Sequence, residues 1–321
     1  MLKKALKSPV VRNLAFPLAT VLIVLLVGLF IPRFLSSRNL INILKQSSVT
    51  AIAAVAQTVV IITGGIDLSC GSIITFSGMI NAILLLNGVP IYVSIPVALL
   101  VCAIFGAISG ITATKLKVPP FISTLVVGNI AAGIAMILCK GSSFANLPAA
   151  NKFLGSGKIL GLPFPVWMMI LFAVGGTLLM TRTSFGNQVY GIGNSRKVVK
   201  NEGINTDKVL IKVYMFSGFC AAAAGLVLCG WLNGCHPTQG AYYQLDIIAA
   251  TVIGGTNMLG GEGKIINSVM GAIIISVIRN MLNLMAVNAY ITNLLVGGVI
   301  IVVVAFTVFM ARRSQKTQAT F

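Results

Sequence analysis

The stretch ITGGIDLSCGS, residues 62–72, breaks an otherwise apolar region with glycines, serines and the acid Asp67. The chain holds only 5 acidic residues in 321, and a carboxylate between two apolar runs is costly. On either side lie SSVTAIAAVAQTVVI (47–61) and IITFSGMINAILLL (73–86). Two apolar helices joined by a glycine turn explain all of this at once. Gly64 and Gly65 permit a tight backbone reversal. Asp67 or Ser69 then caps a helix beginning near Ser72, where a carboxylate suits the positive end of the dipole. A gate, an inter-subunit contact or a substrate-binding role for Asp67 stays open beside that local one.

The rest of the composition agrees with a membrane protein. Apolar residues make up 57% of the chain and charged residues 9%, against roughly a quarter charged in a soluble domain. The mean hydropathy is +0.99. Runs such as LAFPLATVLIVLLVGLFI (14–31) and LLVGGVIIVVVAFTVFMA (294–311) approach the roughly 20 residues a bilayer crossing needs. The pattern predicts an all-α polytopic bundle of about ten spans, near 14–31, 48–63, 71–87, 91–113, 120–139, 162–180, 210–231, 246–259, 266–284 and 290–310. The second and eighth are short for a crossing.

The net charge of +18 is a topology signal and not a nucleic-acid patch. With the N-terminus inside, 16 of the 23 basic residues fall in inner segments and 6 in outer ones. Both termini are then cytoplasmic, with tails at 1–13 and 312–321 and one long inner loop at 181–209. Arg33, Arg38 and Lys45 run against the bias, which makes the first hairpin its weakest part. Residues 140–161 form a polar, glycine-rich outer loop. Arg279 falls within a span and is expected near its outer end. The six cysteines show no metal spacing and one histidine offers no catalytic set, so neither metal nor enzyme chemistry is expected.

Within 181–209, NSRKVVKNEGI (194–204) reads as a short amphipathic helix. Asn194 or Ser195 supplies its cap, Val198 and Val199 its apolar face, and Gly203 its end. Such a helix docks in a partner's groove, or its bases lie on anionic lipid.

Four motifs in order, ITGGIDLSCGS, KVPPFISTL (117–125), TSFGNQVYGIGNSRKVVKNEGI (183–204) and ATVIGGTNMLGGEGKI (250–265), resemble the ribose-type branch of ABC-transporter permeases. The resemblance spans nearly the whole chain as one permease domain, 1–321, in a bacterial plasma (inner) membrane. It implies a subunit of an ATP-driven monosaccharide importer. It also implies a separate cytoplasmic ATP-binding subunit, an extracytoplasmic sugar-binding protein and a second permease subunit. The coupling loop would comprise Gly193, Asn194, Ser195, Val198 and Val199, with Glu202, Gly203 and Ile204. Many relatives carry small residues at 198 and 199, a difference that bears on which ATPase fits. Permeases for a nucleoside, a polyol or a furanose signalling molecule share the motifs. An ion-coupled transporter would need membrane-embedded acids, whereas Asp67, Glu202, Asp207, Asp246 and Glu262 all read as lying in or beside loops.

A second glycine loop, GGTNMLGGEGK (254–264), matches the first. Gly254, Gly255 and Gly261 follow Gly64, Gly65 and Gly71 at a constant offset, suggesting internal duplication around gating turns. GGEGKI (260–265) is no P-loop, because Met258 and Ile265 break that pattern. For the translocation pathway the polar and aromatic candidates are Gln57, Phe121, Thr124, Asn129, Asn280 and Asn283. Asn280 and Asn283 are three apart and so share a helix face. Ordinary helix–helix hydrogen bonding is the alternative role for each.

Overall fold

A computed structural model describes residues 9–288, 290–298, 301, 302 and 305. The expected tail at 312–321, residues 1–8 of the N-terminal tail and much of the tenth span lie outside the described residues. The first half comprises α1 (Pro9–Phe30), α2 (Ser37–Ile62), α3 (Cys70–Leu86), α4 (Ile91–Thr114) and α5 (Pro120–Leu138). Then come β1 (Phe144–Ala145), α6 (Ala149–Ser156), β2 (Lys158–Ile159), β3 (Leu162–Pro163) and α7 (Phe164–Arg182). α8 (Ser184–Asn201) and α9 (Thr206–Leu232) lead through β4 (Gly234–Cys235) to α10 (Ala241–Ile253) and α11 (Ile265–Leu284). Residues 290–298 are helical again.

Among the described residues six helices, α2, α4, α5, α7, α9 and α11, are long and apolar enough to cross a membrane. The apolar part of α1 (16–30), α3 and α10 are shorter. α2 is 26 residues long, so the expected short second span is corrected. Ser36 starts it early, its hydroxyl accepting the Asn39 amide hydrogen, and Arg38 and Lys45 therefore sit on helix instead of in a loop. α10 is short as expected, although its 13 residues begin at Ala241 and end where Gly254 caps it.

Burial runs opposite to hydropathy. α2 is the least apolar of the six spans and the most buried, while α4 is the most apolar and the least buried. Leu100, Ile104, Ile108, Leu125, Ile137 and Leu171 are exposed on α4, α5 and α7. That arrangement suits hydrocarbon outside and a better satisfied, more polar interior. α2 and α9 form the centre. α9 packs along α4, α3 and α2, and α11 closes against α2 and α10.

Small residues bring α4 and α9 together. A Cβ at Gly106 would collide with the Tyr214 carbonyl, and one at Gly218 with the Cys102 carbonyl. Gly106 and Gly110 form a G-x-x-x-G stripe that lets the two backbones approach.

The segment expected as an outer loop is ordered. α6 lies on α9, with Gly155 against the backbone at Gly230 and Trp231. Asn81 donates through Nδ2 to Asn151 Oδ1 (2.8 Å) and accepts from Ser94 Oγ (2.8 Å). Asn151 Nδ2 donates to the Cys229 carbonyl (3.3 Å). β1 pairs antiparallel with β4, Phe144 opposite Cys235. One amide network thus ties α3, α4, α6 and α9 at this end.

Gly106→Ala is expected to cost about 1–3 kcal/mol through overpacking, read as a lower melting midpoint in detergent. Gly133→Ala, within α5, whose methyl would meet nothing within 4 Å, should not lower the midpoint and should raise it slightly if anything.

Candidate functional site

At the opposite end three chain reversals meet. α2 stops at Thr63, and Gly64 adopts φ +79°. Its amide donates to the Ile61 carbonyl (2.9 Å) and that of Gly65 to Val60 (3.2 Å), a Schellman turn. α10 ends the same way. Gly255 has φ +79° and donates to Val252 (2.9 Å), and Thr256 donates to Thr251 (3.1 Å). Gly64 is therefore the counterpart of Gly255, not of Gly254. The expected pairing of the two loops is wrong by one residue, and Gly71, which is helical, has no counterpart in Gly261. Helix ends, not the spacing of glycines, set the register.

The two turns touch. Gly261 donates its amide hydrogen to the Ile62 carbonyl (2.9 Å). Gly193 is pressed against the same carbonyl and against Gly261, so tightly that no Cβ fits. The Asn194 side chain lies over Gly261, and the Tyr190 hydroxyl donates to the Gly263 carbonyl (2.8 Å). Burial raises the Tyr190 pKa, which keeps that donor protonated. The expected docking segment and the glycine loops are thus one assembly.

The segment itself differs in detail from the expectation. Its helix starts at Ser184, not Asn194, and is divided at Ser195, which is extended (φ −162°, ψ 101°). Ser195 Oγ then accepts the Val198 amide hydrogen (3.4 Å) and caps the second piece. Glu202 is the C-cap and Gly203 follows with φ +81°. Gly203 donates to Lys200 (3.1 Å) and Ile204 to Val199 (3.3 Å), a third Schellman turn. Val198 and Val199 do not share an apolar face. Val199 is buried beside Gly191 and Val198 is 54% exposed. Arg196 Nη2 pairs with Asp207 (2.8 Å), which also meets Lys115 Nζ (3.3 Å). A cavity of about 760 Å³ opens here, walled by Gly64 and Gly65, by Lys117 and Pro119, and by Arg196 and Lys200.

Asp67 is 2% exposed. Its Oδ1 accepts from the Ser69 amide (2.7 Å) and hydroxyl (2.6 Å), and its Oδ2 from Ser217 Oγ on α9 (2.6 Å). Ser69 occupies the N-cap position of α3, which starts at Cys70 and not near Ser72, but makes no side-chain cap bond. The carboxylate organises its own loop and fixes it to α9 instead of capping.

The six expected pathway residues are scattered. Gln57 is buried, accepts from Cys70 Sγ (3.4 Å) and among the described residues leaves Nε2 without a partner. Thr124 Oγ1 accepts the Leu68 amide (3.0 Å), latching α5 to the 66–69 loop. Phe121 and Asn129 are exposed. Asn280 exchanges amide bonds with Asn39 (2.8 and 2.9 Å), while Asn283 is exposed, so the two do not face one environment.

One constellation escaped the sequence reading. Asp246 was expected beside a loop and Arg279 near an outer end. Asp246 lies within α10, 3% exposed, and Arg279 grips both its oxygens through Nε (2.6 Å) and Nη2 (2.7 Å). Arg279 Nη1 also reaches Asn293 Oδ1 (3.2 Å). The available signal was one acid and one base in consecutive apolar helices at matching depth. A cavity of about 440 Å³ adjoins the pair, reaching Trp231, His236 and Gln46.

Residues 39–304 match the family model described as the branched-chain amino acid transport system permease component. The ribose import permease protein RbsC of Haemophilus influenzae is 38% identical over 292 residues, 89% of this chain and 90% of its own. RbsC of Bacillus subtilis is 34% identical over 296 residues, 92% of each chain. The D-allose transport system permease protein AlsC of Escherichia coli is 33% identical over 273 residues, 85% and 84% of the two chains. No solved structure matches the chain.

Arg279→Ala would strand a buried carboxylate and should cost about 3–5 kcal/mol. The double variant with Asp246→Ala should cost less than the sum of the single ones, measured by unfolding in detergent.

Proposed function

The chain belongs to the permease-component family of branched-chain amino acid transport systems, and from that premise we propose that it is the membrane-spanning subunit of an ATP-driven sugar importer. The observation that carries this is similarity over nearly the full length to ribose and D-allose import permeases. The cargo is a monosaccharide of ribose type, handed over by an extracytoplasmic binding protein. A separate cytoplasmic ATPase supplies the energy, and a second permease subunit completes the pathway in the bacterial inner membrane.

The proposed topology has ten crossings and both termini in the cytoplasm, on the bias of 16 inner to 6 outer basic residues. The end carrying residues 193–204 is then the cytoplasmic one. The piece from Arg196 to Asn201 docks on the ATPase with Val198 outward. Movement of that piece reaches α2 through Gly193 and the Ile62 carbonyl, and reaches α10 and α11 through Gly261 and Gly263. Nucleotide binding and release would shift these helix ends and open the bundle alternately to either side.

Buried Asp67 is the feature that favours an ion-coupled reading, since among the described residues no ion pair reaches it. The two readings separate in reconstituted vesicles containing the permease, the ATPase and the binding protein. Sugar uptake should stop when the ATPase cannot hydrolyse ATP. Uptake that continues under those conditions and follows an ion gradient would overturn the ATP-driven reading.

Gly193→Ala should reduce ATP-driven uptake by about tenfold or more, equivalent to roughly 1.4 kcal/mol. The variant should still assemble with the ATPase, because the added methyl disrupts the inner junction and not the docking surface.

A further inference from the structure

The cavity beside Asp246 and Arg279 stands apart from the coupling face, toward the end of the bundle joined by residues 233–240. Its volume of about 440 Å³ falls within the roughly 300–1,000 Å³ of small-molecule sites. Three kinds of group converge on it.

The first is the ion pair. Asp246 and Arg279 cancel in net charge, yet the guanidinium keeps N–H groups beyond the three bonds it makes. The second is a set of uncommitted polar side chains. Gln46 and Thr50 on α2 and Ser276 on α11 line the cavity. None of their side chains makes a hydrogen bond among the described residues. Thr50 is 2% exposed and Ser276 1%, so apart from carbonyls one turn back on their own helices the cavity is where their hydroxyls can find partners. Buried polar groups are otherwise paired almost without exception. The third is aromatic surface from Trp231, Tyr242 and Tyr243. Such rings present an apolar face to C–H groups and a polar edge to hydroxyls.

Hydroxyl-complementary walls, ring faces and no net charge describe a site for a neutral polyhydroxy compound. The carboxylate and ammonium of an amino acid zwitterion would find Arg279 and Asp246 already engaged with each other. We propose that this cavity is a monosaccharide-binding subsite of the permease itself, near the mouth that receives cargo. The proposal rests on the importer reading above and gives it a place of selection within the membrane subunit.

The chain has 2 tryptophans. Trp167 lies away from the cavity and donates to the Ile159 carbonyl (2.9 Å). In a Trp167→Phe background, Trp231 therefore reports alone. The full chain in lipid nanodiscs is titrated with D-ribose, D-allose, D-fructose and L-leucine, and the same variants are assayed for ATP-driven uptake in the complete complex. The expected result is a saturable fluorescence change with at least one sugar and none with leucine. Thr50→Val and Ser276→Ala, close in shape to the native residues, should each weaken it about tenfold without lowering the melting midpoint. A saturable change that neither variant alters overturns the subsite. So does the absence of any change with a sugar that the complete complex still imports, and that result leaves the importer reading standing. A complex that imports leucine and none of the sugars overturns the importer reading and the subsite together.

Discussion

The carbonyl of Ile62 is the point on which one end of the molecule depends. It is the last helical carbonyl of α2, and such groups lack a partner within their own helix. Here the partner is the Gly261 amide from a loop almost two hundred residues away, with Gly193 pressed against both. Three segments distant in sequence thereby share one small volume. A side chain at Gly193 would force them apart. The close fit explains why glycine is needed there even though Gly193 itself has no left-handed backbone.

Much of the interior answers the same demand, with Gln57 Nε2 among the exceptions. Where water is absent, each polar group needs a named partner. Asp67 finds two hydroxyls and an amide, Asn39 and Asn280 find each other, and Asp246 finds Arg279. Small residues let backbones approach where side chains would hold them apart, as along Gly106 and Gly110. The most apolar helix, α4, is left to face outward.

How much of this was legible follows from the range of each signal. Apolar runs and their breaks are local, so the helical bundle, the glycine turns at 64 and 255 and the glycine stop at 203 could be read directly. The match between the two glycine loops went wrong by one residue because spacing cannot show where a helix ends. Val198 and Val199 are adjacent on a helix about 100° per residue in rotation, so only one can face inward, and the break at Ser195 decides which. Asn280 and Asn283 obey the three-residue rule, yet only Asn280 meets α2, at Asn39, while Asn283 is exposed. Asp246 and Arg279 lie on different helices, and no periodicity within one helix reveals a pair between two. The same limit hid the cavity beside them.

The amide clasp centred on Asn151 has a mechanical consequence. It pins α3, α4, α6 and α9 together at one extremity, through Asn81, Ser94 and Cys229. The other extremity joins a different set, α2, α8 and the loop between α10 and α11, through the Ile62 carbonyl and the Tyr190 hydroxyl. None of α2, α8, α10 or α11 takes part in the clasp, so the two fastenings hold separate groups of helices. On the importer reading proposed above, a push delivered at the glycine junction acts first on α2, α10 and α11, while the clasped helices keep their register with one another.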